Sequence, residues 1–237
     1  MGFIVVFLVS ITTSVLLFLF LRSKIYEGDE EFKSLCNKAF IAGLLSTLGV
    51  ILFSAIAVIL LGISHLNDTH HTLYIILRVF IVFALSEEFC KFMFFKRFMQ
   101  KNPYPQSWMS LVVFMTLVGT GFGVAENLVL SLSVNVGIMV VRALTAGHVG
   151  YGFVMGWFYG KYKKTNDKKY AVLSFLIPFL IHGFYDLSLN EEMFEISDIF
   201  AFVAVSLAFV DTILLILAVR FFIKRRHDNT YMLPIDN

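Results

Sequence analysis

Seven stretches of this chain are apolar for about twenty residues each, the length that crosses a hydrocarbon core of ~30 Å as a helix. No other property restricts the possible folds so strongly, because backbone inside a bilayer must satisfy its own hydrogen bonds. The stretches predict an all-α, polytopic membrane helix bundle of about seven transmembrane helices, near residues 3–21, 39–62, 73–95, 109–132, 137–160, 170–189 and 198–223. The composition agrees: 58% of the 237 residues are hydrophobic, only 15% are charged and 27 are Phe, far from the balance of a soluble domain. The first stretch lacks a basic n-region and a small-residue cleavage site before Arg22, so it reads as a span and not as a cleaved signal.

The connections alternate in charge. Arg22, Lys24, Lys33 and Lys38 flank the first, Lys96, Arg97 and Lys101 the third, and Lys161, Lys163, Lys164, Lys168 and Lys169 the fifth, while Lys224, Arg225 and Arg226 open the tail. The second, fourth and sixth connections hold no Lys or Arg. The positive-inside rule then places the odd connections and the C-terminus in the cytoplasm and the N-terminus outside. The net charge of +2 follows from these loops and implies no nucleic-acid partner. Cys36 and Cys90 have no pairing or ligand spacing. No internal repeat of the transporter kind is visible, and one transmembrane domain over 1–237, with a motif-bearing core at about 73–190, is the expected organisation.

Against this background the ionisable residues inside the spans stand out. Glu87 and Glu88 are adjacent in the third; Glu126 and Asn127 lie in the fourth, Arg142 and His148 in the fifth, His182 and Asp186 in the sixth. An ionised side chain at membrane depth costs at least ~2.5 kcal/mol on insertion scales, so each needs a partner or a function. Counting ~1.5 Å per residue puts Glu87, Glu88, His148 and His182 at a common depth, with Glu126, Arg142 and Asp186 nearer the outer face. Lys91 follows Glu87 by four residues and Glu88 by three, so it is placed to neutralise one of them, and Asp186 follows His182 by four and is placed to orient its imidazole. Consecutive helical residues point ~100° apart, so the two glutamates cannot aim at one atom and one of them is structural. The stretch GTGFG (Gly119 to Gly123) follows no strand and suits close helix packing or a local break turning Glu126 inward, not a phosphate loop. His65, His70 and His71 fall in a short outer loop and read as solvated.

Glutamate with histidine is equipment for activating water: the carboxylate takes the proton, and the imidazole orients the water or stabilises the oxyanion. The same residues suit a zinc ion, with Glu87, Glu88, His148 and His182 as ligands, although HExxH is absent. No GxSxG marks a serine nucleophile. Buried acids and histidines also build proton relays, so a proton-coupled transporter or sensor is the competing class.

The order SEEFCK (Ser86 to Lys91), GFGVAEN (Gly121 to Asn127), RALTAGH (Arg142 to His148) and HGFYD (His182 to Asp186), each on its own span, resembles the PrsW family of intramembrane proteases. That family is related to the CAAX prenyl protease and bacteriocin-processing group of glutamic membrane proteases. The resemblance covers about 84–187; the first two spans and the last match in hydropathy only. It implies a multi-pass bacterial membrane protease that cuts a single-span membrane protein, an anti-sigma factor, in an envelope-stress response. It also implies Glu87, Glu88, His148 and His182 as catalytic residues, supported by Lys91, Glu126, Asn127, Arg142 and Asp186. A glutamic mechanism without a cofactor is the expectation; zinc stays open as the alternative, as does a prenyl-peptide substrate. Oligomeric state is not legible in the sequence.

Overall fold

A computed structural model of the chain describes residues 2–102, 104, 106–132, 136–197 and 199–235, and among them it is helical throughout apart from turns and one isolated bridge between Ser107 and Pro234. The helices in order are α1 (Gly2–Lys24), α2 (Glu30–Ile63), α3 (Leu66–Thr69), α4 (His71–Leu77), a π-helical segment (Arg78–Leu85), α5 (Ser86–Lys101), α6 (Trp108–Leu130), α7 (Val136–Thr145), α8 (Gly147–Thr165), α9 (Lys168–Ser188), α10 (Glu191–Ile196), α11 (Ile199–Arg225) and α12 (Asn229–Met232).

Five of these are long and apolar enough to cross a membrane: α1, α2, α6, α9 and α11. The two other expected spans, 73–95 and 137–160, are present as helix but interrupted. The third runs from His71 to Lys101 through the π segment, and the fifth breaks at Ala146, whose backbone is left-handed (φ 44°) between α7 and α8. Both interruptions stand next to site residues. The π segment delivers Ser86, Glu87 and Glu88, and its loosened carbonyls find side-chain donors, with Ser54 Oγ 2.8 Å and Ser86 Oγ 2.5 Å from the Val82 carbonyl. Irregular helix is tolerated at membrane depth when Ser or Thr hydroxyls meet the freed backbone in this way, and π turns recur at functional sites. A left-handed alanine is a strained conformation for a residue with a Cβ, and it redirects the chain immediately before His148. Pro178 removes one backbone hydrogen bond from α9 a turn before His182.

Caps set the other boundaries. The Asp29 side chain caps α2 by accepting from Phe32 N at 2.8 Å. Ser107 and Ser110 form a reciprocal capping box at α6. Asp167 caps α9, accepting from Lys169 N at 3.0 Å. Asp29 also accepts from the Tyr104 hydroxyl at 2.7 Å. Burial acts to raise the Asp29 carboxyl, but the Phe32 N–H and the Tyr104 hydroxyl together hold it below the usual carboxylate range.

Helix α6 sits at the centre, buried continuously from Met109 to Gly123, with α2 on one side and α8 on the other. The GTGFG glycines make this approach possible. A Cβ on Gly121 would collide with the Phe40 carbonyl of α2, and one on Gly119 with the His148 carbonyl of α8. The helix is continuous here, so packing accounts for these glycines and the local break does not occur. At the end where α1, α5, α8 and α11 finish, aromatic rings form the core. Phe114 meets Phe32, Phe98 and Tyr104 at centroid distances of 5.2, 5.3 and 6.1 Å, and Trp157 meets Trp108 and Phe221, each at 5.0 Å. The C-terminal segment folds back beneath this end, with the Tyr231 ring against Trp108 and Ile235 N bonded to the Gln106 carbonyl at 2.7 Å. At the opposite end His71, although exposed, pairs with Glu192 at 2.6 Å, so the second and sixth connections lie together.

Candidate active site

The site lies between α5, α6, α8 and α9, and its ionisable groups form one continuous chain. From α7, Arg142 bonds the Glu126 carboxylate and, through Nε, Asn127 Oδ1 at 2.7 Å. Glu126 Oε2 lies 2.5 Å from His148 Nε2, and His148 Nδ1 lies 3.0 Å from Lys91 Nζ. Lys91 Nζ donates to Glu88 Oε1 at 2.6 Å, and the same oxygen accepts from His182 Nδ1 at 2.8 Å. His182 Nε2 then faces Asp186 Oδ2 at 3.1 Å and Glu87 Oε2 at 3.7 Å. Asn127 ties the chain to α1 through the Ser10 carbonyl at 3.1 Å.

Donor and acceptor identities fix the imidazole protonation. An ammonium can only donate, so Lys91 makes His148 Nδ1 an acceptor and leaves the ring hydrogen on Nε2, facing Glu126. A carboxylate only accepts, so His182 donates from Nδ1 to Glu88 Oε1 and from Nε2 to Asp186 Oδ2, as an imidazolium does. The two imidazoles are therefore held differently, His148 as one neutral tautomer and His182 as a donor from both nitrogens, with centroids 5.2 Å apart and ring planes at 80°.

The two glutamates are not equivalent. Glu88 and Lys91 are both fully buried, and Glu88 is held by an ammonium and an imidazole on one oxygen. Each keeps one buried oxygen, Glu87 Oε2 and Glu88 Oε2, without a hydrogen-bond partner among the described residues, but the other oxygen of Glu88 is anchored twice, whereas Glu87 has nothing closer than His182 Nε2 at 3.7 Å. The adjacent positions thus reach different nitrogens of one histidine, as their ~100° separation on the helix requires. Lys91 is seated over the Phe122 ring at 4.3 Å. This cation–π contact adds to its charge pairing. Gly123 lets the His148 ring lie against α6, since a Cβ there would stand 3.3 Å from its Cδ2. A cavity of about 30 Å³ is lined by Glu126, Arg142, His148, His182, Asp186 and Asp211. Such a polar space has room for water.

All nine sequence-predicted residues thus fall in or beside this network. Arg142 reaches inward to Glu126 instead of snorkelling to the interface, and Lys91 pairs with Glu88 and not with Glu87. Glu87, His148 and His182 can offer ligand atoms all within 4.8 Å of one another. Carboxylate and imidazole are the donors that catalytic zinc sites use. Glu88, the fourth member of the expected zinc set, stands outside this trio. The motif reading does not single out Asp211 or Tyr151. Asp211 is 1% exposed and accepts from the Tyr151 hydroxyl at 3.0 Å, and its signal in the sequence is an acid inside the apolar run FVAVSLAFVDTILLILAV.

The sequence model of the family described as PrsW family intramembrane metalloprotease matches residues 31–216. This is wider than the motif-bearing region at 84–187 and takes in α2 and part of α11. Among curated proteins the chain is 29% identical over 120 residues to Protease PrsW of Oceanobacillus iheyensis, covering 49% of this chain and 56% of the relative. It is 27% identical over 175 residues to Protease PrsW of Shouchella clausii, covering 72% and 79%. Protease PrsW of Geobacillus kaustophilus is 32% identical over 113 residues, covering 46% and 50%. The chain thus spans about half the length of two of these relatives. No solved structure matches it. The family match and the several apolar helices make this a multi-pass protein of the bacterial membrane.

Proposed function

The chain belongs to the PrsW family of intramembrane proteases, and on that premise we propose that it hydrolyses a peptide bond in or near the transmembrane segment of a single-span membrane protein, in the family's manner an anti-sigma factor. The observation that carries the mechanism is the asymmetry of the glutamate pair. Glu88, anchored through one oxygen by both Lys91 and His182, is structural; Glu87, with nothing closer than His182 Nε2 at 3.7 Å, is the base. Glu87 takes a proton from the attacking water, His148 and His182 position that water, and the doubly donating His182 ring with the Arg142 guanidinium supplies positive potential toward the developing oxyanion. The proton held by Glu87 then passes to the leaving amine. The substrate helix must unwind locally to expose its carbonyl, so a helix-weak segment is expected at the cut.

The trio of Glu87, His148 and His182 favours a second reading, in which these residues hold a zinc ion. Such an ion supplies Lewis-acid activation of water when bound. The glutamic reading is preferred because both nitrogens of His148 are already engaged, one by a buried ammonium that would stand beside a dication. Under the protease reading the interrupted helices count as membrane crossings, giving seven spans with the basic ends of α1, α5, α8 and α11 in the cytoplasm and a core at about 73–190. A proton-coupled transporter would use the same acids but leaves the family membership unexplained.

The test is an N-terminal profile of the membrane proteome of host cells carrying the wild-type protein or Glu87→Ala, Glu88→Ala at matched expression. New termini within a single-span protein, present only with the wild type, are expected; matching profiles under envelope stress would sink the reading. Stoichiometric zinc in the purified protein, with cleavage lost to a chelator and restored by metal, would move the chemistry to the second reading.

A further inference from the structure

Asp211 lies on α11, outside the motif-bearing spans, yet its side chain is inside the site. Its Oδ2 accepts from the Tyr151 hydroxyl at 3.0 Å, and its Oδ1 is buried with no hydrogen-bond partner among the described residues. The same cavity that borders Glu126, Arg142, His148, His182 and Asp186 borders Asp211. An acid within an apolar helix is costly and marks function by default, and a hydrogen bond for one tyrosine could be made by a neutral acceptor.

What Tyr151 touches shows the use. Its ring lies on the His182 imidazole, with centroids 5.1 Å apart and planes within 25°, and presents an edge to His148 at 5.7 Å. Tyr151 is fully buried, so its ring plane is set by packing and by the one bond at its hydroxyl. Gly147 clears the place where that bond forms: a Cβ there would stand 2.9 Å from Asp211 Oδ2 and 3.2 Å from the Tyr151 hydroxyl. His182 is held in the plane of its ring by Glu88 and covered on one face by Tyr151.

We infer that Asp211 is a positioning residue of this site, fixing the His182 imidazole through the hydroxyl and ring of Tyr151. Its catalytic consequence rests on the protease reading above, while the positioning itself can be read without cleavage. The first measurement is side-chain NMR of histidine-labelled full-length protein, where the His182 ring signals, identified by their loss in His182→Asn, carry the upfield shift of a proton over an aromatic face. Asp211→Leu and Tyr151→Phe move those signals toward unstacked positions. Asp211→Asn keeps an acceptor for the Tyr151 hydroxyl and leaves them in place. Unmoved His182 signals in Asp211→Leu, or in Tyr151→Phe should the first variant not fold, overturn the inference whatever the protein cleaves.

The second measurement is cleavage of the single-span protein found by terminal profiling. Asp211→Leu and Tyr151→Phe each lower kcat by about 10- to 100-fold, as loss of a residue supporting a functional histidine does. KM stays within about twofold, and the double variant is no worse than either alone because both act at one bond. Asp211→Asn retains most of the rate. Wild-type kcat in Asp211→Leu overturns the inference and leaves the protease reading intact; wild-type cleavage by Glu87→Ala, Glu88→Ala overturns the protease reading and leaves the NMR result to decide the positioning role.

Discussion

The two ends of this bundle are held by different forces. At the basic end, Phe32, Phe98, Phe114, Trp108, Trp157, Phe221 and Tyr231 fill the space between helices with rings. Many small dispersion contacts share the load there. At the site, a chain of a few charge-assisted bonds runs Arg142–Glu126–His148–Lys91–Glu88–His182, and each group depends on the next. The first kind of core degrades gradually when a residue is trimmed. The second fails abruptly, because removing one partner strands a buried charge. The proposed catalysis lies in the second kind, where position is set by single bonds and Glu87 is the carboxylate without a close one.

Lys91→Met gives the largest effect expected from this contrast. It leaves the fully buried Glu88 with His182 alone. The protein loses about 3–5 kcal/mol, the cost of breaking a buried pair, read as a lowered Tm in detergent. Glu126→Gln is next, because it weakens the charge-assisted bonds to Arg142 and His148. That costs about 1.5–3 kcal/mol, and cleavage falls with it. Phe114→Leu keeps an apolar side chain among the rings. Its cost is on the order of 1 kcal/mol, as for hydrophobic swaps that a core can repack around. Cleavage is retained in the protein that remains folded, and a Phe114→Leu loss larger than that of Lys91→Met would break the comparison. Gly123→Ala is the smallest, since its Cβ presses on the His148 ring at 3.3 Å; Tm changes little while cleavage falls, and an unchanged rate would show that this ring tolerates displacement.

Much of this was legible in the sequence because apolar length and buried charge are local signals. The runs around Glu126 and Asp186 announce helices carrying exceptions, and their motif order places four polar groups on four helices. The spacing of Glu87, Glu88 and Lys91 shows that one carboxylate is neutralised, but which one depends on how the π segment turns α5 against α9, a tertiary outcome. The π segment and the left-handed Ala146 were hidden for the same reason. The π segment has no Pro or Gly and is compensated by the hydroxyls of Ser54 and Ser86, while at the second break the left-handed residue is Ala146 and not the adjacent Gly147 that a sequence would suggest. Asp211 was visible as a lone acid in an apolar run, but without a motif around it nothing tied it to the others until α11 packed on α8.

Glu87, the carboxylate with no partner closer than 3.7 Å, is proposed as the base, and Glu88, bonded to Lys91 and His182, as part of the scaffold. The most direct measurement compares cleavage and Tm for Glu87→Gln in the full chain reconstituted with its substrate. Tm is expected to equal that of the wild type, because Glu87 Oε2 has no bond to lose. Cleavage is reduced by at least about 100-fold, the lower bound for removing a general base. Cleavage at the wild-type rate by a folded Glu87→Gln protein would contradict it and return the role of base to Glu88.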